Sequence, residues 1–524
     1  MKNNIKGLIT FTEMNINLNS RVSSRDFIYY VSSWVNSLPD SLFKPYSLGR
    51  HQKISDHLLV IIVIFAFYHN IRSSRKIAEL IKYDIRLILL THGQTISYRT
   101  IERFMNSYQQ TGLIDNLFDC LNYQLTQAKV INNDVAYIDG TIIRADSYKY
   151  GFVWRKSVIK FLGKLKIKVC QLEPLLLQLG IFCDSSVFSD PNLSKMDQLV
   201  NTMIIALDKI NTTLQEKHTT INCSKLKKTR RKLKKYLRIT KELRSQMAKY
   251  LTQLDFLGKR NSYAKTDTDA TFMHFKDDPM NNGQVKPGYN LQIATNDGFV
   301  IDYAIYQRPA DSKTLIPFVE KSKWLQNAQV IVADAGYGSE QNYNYLKKLG
   351  IKPLLEYATY RQEQKRNYQK KLQWHYDETT DSFTDNKGIK FVFHGFSVRY
   401  DKQNNFTHIF RTYRPIDYLD GDPKKELSLT DKDAKRTHTF NRNWYVIRKK
   451  ITADLKEKFY RLLFSQRKIE DEPIFGVMKY DHKFTRLTKR GFSKVSGEIG
   501  MELIMQNLEK LYNGYFALDL PSIK

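Results

Sequence analysis

The chain is poor in the residues that staple a scaffold covalently or through metal. Its four cysteines, Cys120, Cys170, Cys183 and Cys223, are widely spaced and form no CxxC pair. Neither a disulfide framework nor a zinc site reads from them, and a reducing cytoplasm fits. The N-terminus lacks the apolar core of a secretory leader. The longest apolar run, Leu58 to Tyr68, is too short to span a bilayer and reads as a buried helix. Acidic residues are scarce beside basic ones: 53 Asp and Glu against 83 Lys and Arg, a net charge of +30. With no membrane segment, that excess points to a nucleic acid, the plain alternative being a merely soluble basic protein.

What is present suffices for a folded chain of two to four domains. Of the 524 residues 42% are hydrophobic, enough for a sizeable core, and the aromatic content argues against disorder. No internal repeat is visible.

Residues 1–130 read as helical. Ser55 to His69 is a buried helix. Ser73 or Ser74 can cap a second, through Ile77, Leu80 and Ile81. Ser97 can cap a third, with Ile101, Phe104 and Met105 inward and Tyr98, Arg99 and Arg103 outward. A basic last face of this kind suits a DNA-binding helix-turn-helix as well as ordinary helical packing. Residues from about 155 to 285 form an insertion, helical and polar at first. Its run from Lys225 to Arg238, with Lys228 and Arg231, is strongly basic, either a solvated face or a contact for DNA phosphates.

Two segments far apart in sequence each end an apolar run on an Asp followed closely by glycine. They are Val135-Ala136-Tyr137-Ile138-Asp139-Gly140 and Val330-Ile331-Val332-Ala333-Asp334-Ala335-Gly336. Such strands hold an acid where backbone can turn and a ligand approach. Tyr289 to Thr295 reads as a strand, Asn296-Asp297-Gly298 as a hairpin turn and Phe299 to Gln307 as the return. Asp311 or Ser312 then caps a helix carrying Leu315, Phe318, Val319 and Trp324. After the Asp334 strand, Ser339 caps a helix that Gly350 ends, and Lys352 to Tyr357 is a further strand. The order β-β-β-α-β-α-β resembles the ribonuclease-H-like fold. The expected class is therefore α/β: a mixed sheet in residues 131–362, a β-rich insertion over 363–450, and a helical return over 451–524.

Two such acids can bind divalent metal, since Mg²⁺ prefers oxygen ligands. A metal pair roughly 3.5–4 Å apart can activate a hydroxyl and stabilise a leaving oxygen. A third acid is wanted, and Glu472 is the first candidate, with Glu470, Asp471, Glu498 and Glu502 as rivals. Glu472 and Lys479 lie seven apart, so an α-helix would put them on one face two turns apart, with Ile474, Val477 and Met478 toward the sheet. Pro473 starts or kinks the helix there.

Several segments resemble bacterial insertion-sequence transposases of the DDE type. They are Asp139-Gly140-Thr141, Asp278 to Asn290, Gln307-Arg308-Pro309-Ala310-Asp311, Ala333 to Ser339, and Lys489 to Glu498. Gly49-Arg50 and Ser73-Ser74-Arg75-Lys76 match that family's helical N-terminal domain. The resemblance implies a catalytic, metal-holding triad of Asp139, Asp334 and Glu472, with Arg467 and Lys479 positioning phosphate. It implies Mg²⁺, which Mn²⁺ can replace, binding of the element's terminal inverted repeats, cleavage there, and strand transfer into target DNA. A homodimer on double-stranded DNA, in a bacterial cytoplasm at the nucleoid, follows by the same analogy. Relatives often carry cysteines in the β-rich insertion, and residues 363–450 have none. A ribonuclease-H-like nuclease that only hydrolyses, and an inactive DNA-binding derivative, are the alternatives. Trp154 with Arg155 and Lys156 could stack on and clamp an unpaired base, or be a core tryptophan with two surface charges.

Overall fold

The computed structural model describes residues 21–43, 54–132, 134–216, 223–275, 283–365, 374–402 and 405–514. The Gly49-Arg50 motif and residues 278–282 of the Asp278 to Asn290 segment lie outside these. Two compact units divide the chain, one of residues 1–143 with 289–524 and the other of residues 144–288. In chain order the strands are β1 (Val135–Arg144), β2 (Phe152–Trp154), β3 (Ser262–Ala264), β4 (Thr271–His274), β5 (Val285–Asn296), β6 (Phe299–Tyr306), β7 (Val330–Ala333), β8 (Lys352–Leu355), β9 (Trp374–Asp377), β10 (Ser382–Asp385), β11 (Lys390–Asp401), β12 (Phe406–Pro415) and β13 (His438–Phe440).

The first unit opens with helices whose starts follow capping chemistry. Asp26, Ser55 and Ser97 each accept a backbone N–H from the first turn of Phe27–Asn36, Asp56–Tyr68 and Tyr98–Thr111. Ser73 stands at the start of Ser74–Tyr83 but its side chain makes no capping bond. Asp56–Tyr68 is apolar almost all round and accordingly buried from Leu59 to Phe67. On Tyr98–Thr111, Ile101, Phe104 and Met105 are buried while Tyr98, Arg99 and Arg103 are exposed. The helix Phe492–Gly514 is buried from Val495 to Leu508, packed among these helices and β6.

The sheet of this unit has the order β6-β5-β1-β7-β8. β1, β7 and β8 are parallel, in the registers Val135↔Val330 to Ile138↔Ala333 and Val330↔Lys352 to Ala333↔Leu355. β5 and β6 are antiparallel across a tight turn in which Asp297 and Gly298 both take positive φ, 50° and 69°. This is the ribonuclease-H-like order, with its helical N-terminal part. The expected single helix after Asp311 is instead a 3₁₀ turn, Asp311–Lys313, then Leu315–Lys321 and Lys323–Gln326. Ser322 breaks it by adopting an extended backbone and accepting the Leu325 N–H.

Residues 374–440 carry a separate antiparallel sheet, β13-β12-β11-β10-β9, around Phe383, Ile389, Phe391 and Tyr413. Gly388 and Gly421 make turns there with positive φ, and Asp422 caps Pro423–Leu427. The chain returns through Arg442–Lys456 and Lys458–Glu470. Tyr460, Leu463 and Phe464 of the latter pack against Tyr137, Val332 and Leu354, so this helix crosses β1, β7 and β8.

The second unit is built on Arg155–Cys170, Leu193–Glu216 and the 35-residue Cys223–Leu257, packed around Leu165, Val169, Met196, Leu199, Met203, Leu233 and Leu237. Within it β2 pairs with β3, and β4 with the first residues of β5, all antiparallel.

Candidate active site

The parallel ladder between β1 and β7 ends at Ile138↔Ala333. The next residue on each chain is an acid, Asp139 and Asp334, and both are half-buried. Asp139 Oδ1 accepts the Gly140 N–H at 2.8 Å. Asp334 Oδ1 accepts the Gly336 N–H at 2.8 Å, capping the 3₁₀ turn Ala335–Tyr337. Each carboxylate is thus oriented by the N–H of a glycine that follows it, Gly140 within β1 and Gly336 in the 3₁₀ turn.

Buried Tyr337 donates its hydroxyl to Gln292 Oε1. Burial pushes that phenol well above its ordinary range, and Asp311, Asp139, Asp334 and Asp471 add to the effect. Asp311 was expected as a helix cap. Its side chain instead accepts Asn290 Nδ2–H at 2.8 Å and Gln292 Nε2–H at 3.1 Å. Asn342 ties the two loops together by donating to the Ser312 and Tyr337 carbonyls, both at about 2.9 Å or less. Asn290, Gln292 and Tyr337 were not singled out from the sequence. The signal was available: two amides two apart on a strand share one face.

The helix Lys458–Glu470 supplies the other wall. Residues 460, 463, 464, 467 and 471 form its inward stripe, at helical spacing. That stripe buries Arg467 and Asp471. Arg467 Nη1 lies 3.7 Å from Asp139 Oδ2, while its Nε has no hydrogen-bond partner among the described residues. Asp471 Oδ1 accepts the Thr295 hydroxyl at 2.7 Å, and its Oδ2 is buried with no hydrogen-bond partner among the described residues. Burial pushes the Asp471 carboxyl well above the usual carboxylate range. The Thr295 bond opposes this, Asp139 reinforces it, and Arg467 opposes it.

Glu472 is one residue past the stripe and is exposed, at the start of Glu472–Gly476. The three rival glutamates are otherwise engaged. Glu470 accepts the Gly298 N–H. Glu498 accepts from Thr488 N and Oγ1 and from Lys489 N. Glu502 is paired with Arg72 and His482. Beyond Gly476 the chain winds into a π turn, Val477–Asp481. The two-turn spacing expected between Glu472 and Lys479 therefore does not hold, because a π turn takes up more residues than an α turn. Ile474 and Met478 are buried, and Val477 and Lys479 partly so. Among the described residues no three His, Cys, Asp or Glu side chains stand close enough together to hold a metal ion.

The remaining candidates are dispersed. Arg99 and Arg103 are exposed on the N-terminal helix. In the second unit Lys228 and Arg231 are exposed on Cys223–Leu257, opposite its buried Leu233 and Leu237. Trp154 is half-buried, packed at an angle against Phe152 and Phe272. Arg155 donates to the Arg260 carbonyl at 2.9 Å and to that of Gly258, so its guanidinium is spent on backbone.

Two family models match the chain. Residues 260–508, which include Asp334 and Glu472, match the transposase DDE domain. Residues 16–107 match a transposase domain (DUF772). A ribonuclease-H-like sheet with acids at the end of its parallel ladder defines the class, and with these two matches the chain belongs to the DDE transposases of insertion sequences. A search of the curated proteins finds no match.

Proposed function

We propose that this transposase cuts DNA at its element's terminal inverted repeats and joins the freed ends to target DNA, using a divalent cation. The observation that carries this reading is the adjacency of Asp139 and Asp334, set by the β1–β7 register, Asp334 lying in the segment that matches the transposase DDE domain. The donors gathered there are hard carboxylate oxygens, the kind that suit Mg²⁺ or Mn²⁺. Asp471 adds a buried oxygen with no hydrogen-bond partner among the described residues, and Arg467 lies against Asp139 where positive charge is called for. Asp139 and Asp334 would hold the ion, with Glu472 as the third ligand. When bound, the ion polarises the scissile phosphate and makes a water or 3′-hydroxyl more nucleophilic.

The chain's own groups do the rest. The Gly140 and Gly336 N–H groups hold the two carboxylates in fixed rotamers, so little reorganisation is needed at reaction. Arg467 offers its guanidinium to a phosphate oxygen entering beside Asp139, and Lys479 adds charge from the π turn. Exposed Lys228 and Arg231, with Arg99 and Arg103, would bind DNA phosphates, a sequence-independent and salt-sensitive contribution. Pairing two element ends calls for two copies of the chain on the DNA, working where bacterial DNA lies, in the cytoplasm.

The test is cleavage and strand transfer on a labelled duplex carrying the element's terminal repeat, with Mg²⁺. Joined products from wild type, absent with Asp334→Asn and Glu472→Gln, support the reading. Hydrolysis without joining points to a nuclease. Tight binding without any product points to an inactive derivative.

A further inference from the structure

Asp311 carries a carboxylate into the site that the expected triad does not use. Oδ1 is fixed by two amide donors from β5, Asn290 at 2.8 Å and Gln292 at 3.1 Å. Both donors are almost wholly buried, at 1% and 0% exposure, so the carboxylate is held rather than floating. Its surroundings are marked by two glycines. A Cβ on Gly140 would stand 3.1 Å from Asp311 Oδ1 and 3.0 Å from the Tyr337 hydroxyl. A Cβ on Gly336 would stand 3.6 Å from Asp311 Oδ2 and 2.9 Å from Asp334 Oδ1. The Asp311 carboxylate therefore lies between the glycine after Asp139 and the glycine two past Asp334.

Neighbouring carboxylates repel one another, and a bound cation relieves that repulsion. Arg467 Nη1 lies 3.7 Å from Asp139 Oδ2.

We propose that Asp311 is a positioning residue of this site: its fixed carboxylate orients, through the water shell, the divalent cation that Asp139 and Asp334 would hold. The proposal rests on the metal-holding reading of those two acids. Mg²⁺ keeps several waters when bound by one or two carboxylates, so an acid beside the ligands acts through them. Partners of that kind change metal affinity by about 10–100-fold.

The test measures Mn²⁺ binding directly, from the free-ion paramagnetic resonance signal, with the full chain and no DNA. Wild type, Asp311→Asn and Asp334→Asn are compared, together with the Mg²⁺ midpoint of end cleavage and metal-free thermal melts. The expected result is Mn²⁺ affinity weakened about tenfold in Asp311→Asn. Its Mg²⁺ midpoint would move up by a similar factor, with the rate recovering at high Mg²⁺. Unchanged affinity and midpoint, with only a lower melting temperature, would make Asp311 a purely structural acceptor for Asn290 and Gln292 and overturn the proposal. Wild type that binds no Mn²⁺, or Asp334→Asn that binds as wild type does, would sink the metal reading itself, and this proposal with it. Should Asp311→Asn not fold, Asp311→Ser keeps an oxygen for Asn290, removes the charge, and carries the same test.

Discussion

Ile138 and Ala333 are partners in a parallel β-ladder, and this one register relation brings Asp139 and Asp334 side by side. Neither acid is placed by its own contacts first. Each is carried to the same level of the sheet by four apolar pairs below it, and then oriented by the backbone N–H of a glycine just after it. A slip of one residue in either strand would turn one carboxylate to the opposite face.

Neutralising either acid should therefore remove chemistry without unfolding the sheet. Asp139→Asn and Asp334→Asn are each expected to lower end cleavage by at least about a hundredfold, the scale of losing a preorganised electrostatic group. Gel assays of nicked product, with thermal melts as a control, check this. A loss of activity that tracks a lower melting temperature would point to misfolding instead.

Glu472 and Asp471 are neighbours with opposite surroundings, and that separates their roles. Exposed Glu472 should tolerate Gln within about 0.5 kcal/mol of stability, while cleavage is lost. Buried Asp471, its carboxyl pushed well up by burial, should tolerate Asn as well, since the Thr295 hydroxyl keeps an acceptor. Cleavage should then persist. The reverse pattern, with activity lost in Asp471→Asn and kept in Glu472→Gln, would assign the third acid to Asp471.

Alkaline pH should loosen the contact between the N-terminal helices and the C-terminal helix. His482 lies between Glu502 and Glu509, at 2.9 and 2.8 Å, and Arg72 pairs with Glu502. Burial alone would lower this imidazole, but its hydrogen bonds to both carboxylates outweigh it and push it up to about 9. The folded value lies above the unfolded value of about 6.5. The stabilisation is thus fully present below about 6.5 and is lost as pH rises through about 9. It amounts to at most about 3 kcal/mol. Melting temperature should fall over that interval in wild type and stay flatter in His482→Gln. Parallel curves would remove His482 as the cause.

Gly338 is expected to resist substitution for a steric reason. A Cβ there would stand 2.9 Å from Tyr357 Cα and 3.0 Å from the Glu356 carbonyl carbon, both backbone. Backbone cannot swing aside, so Gly338→Ala should cost about 1–3 kcal/mol, as overpacking does. Denaturant titration reads this directly, and a change within error would mean the Asp334 loop is more pliant than its packing implies.

The basic face of Cys223–Leu257 separates binding from stability. Lys228→Glu with Arg231→Glu should leave the melting temperature unchanged, because both side chains are exposed. DNA affinity should fall, and the slope of log K against log salt should lessen by about two. An unchanged salt slope would make that face a solvated surface only.

Local chemistry was legible in the residues themselves. Ser55, Ser97 and Ser339 begin helices, the Asn296-Asp297-Gly298 turn makes a hairpin, and the apolar runs into Asp139 and Asp334 are strands. Each depends on neighbours within a few positions, through a cap, a positive φ or an alternating face. The resemblance to DDE transposases rested on short motifs of the same local kind.

What the tertiary structure alone decided lies between residues distant in sequence. Asp311, legible as a cap, joins Asn290 and Gln292 because the loop after β6 folds back over β5. Asp471 rather than Glu472 is buried against the sheet, because the inward stripe of Lys458–Glu470 extends one residue past the helix. Arg155 gives its guanidinium to carbonyls more than a hundred residues away. A sequence specifies which groups are available and how each local segment turns. Which carboxylates share a site is settled by strand register and helix phase, and a shift of one residue in either reassigns them.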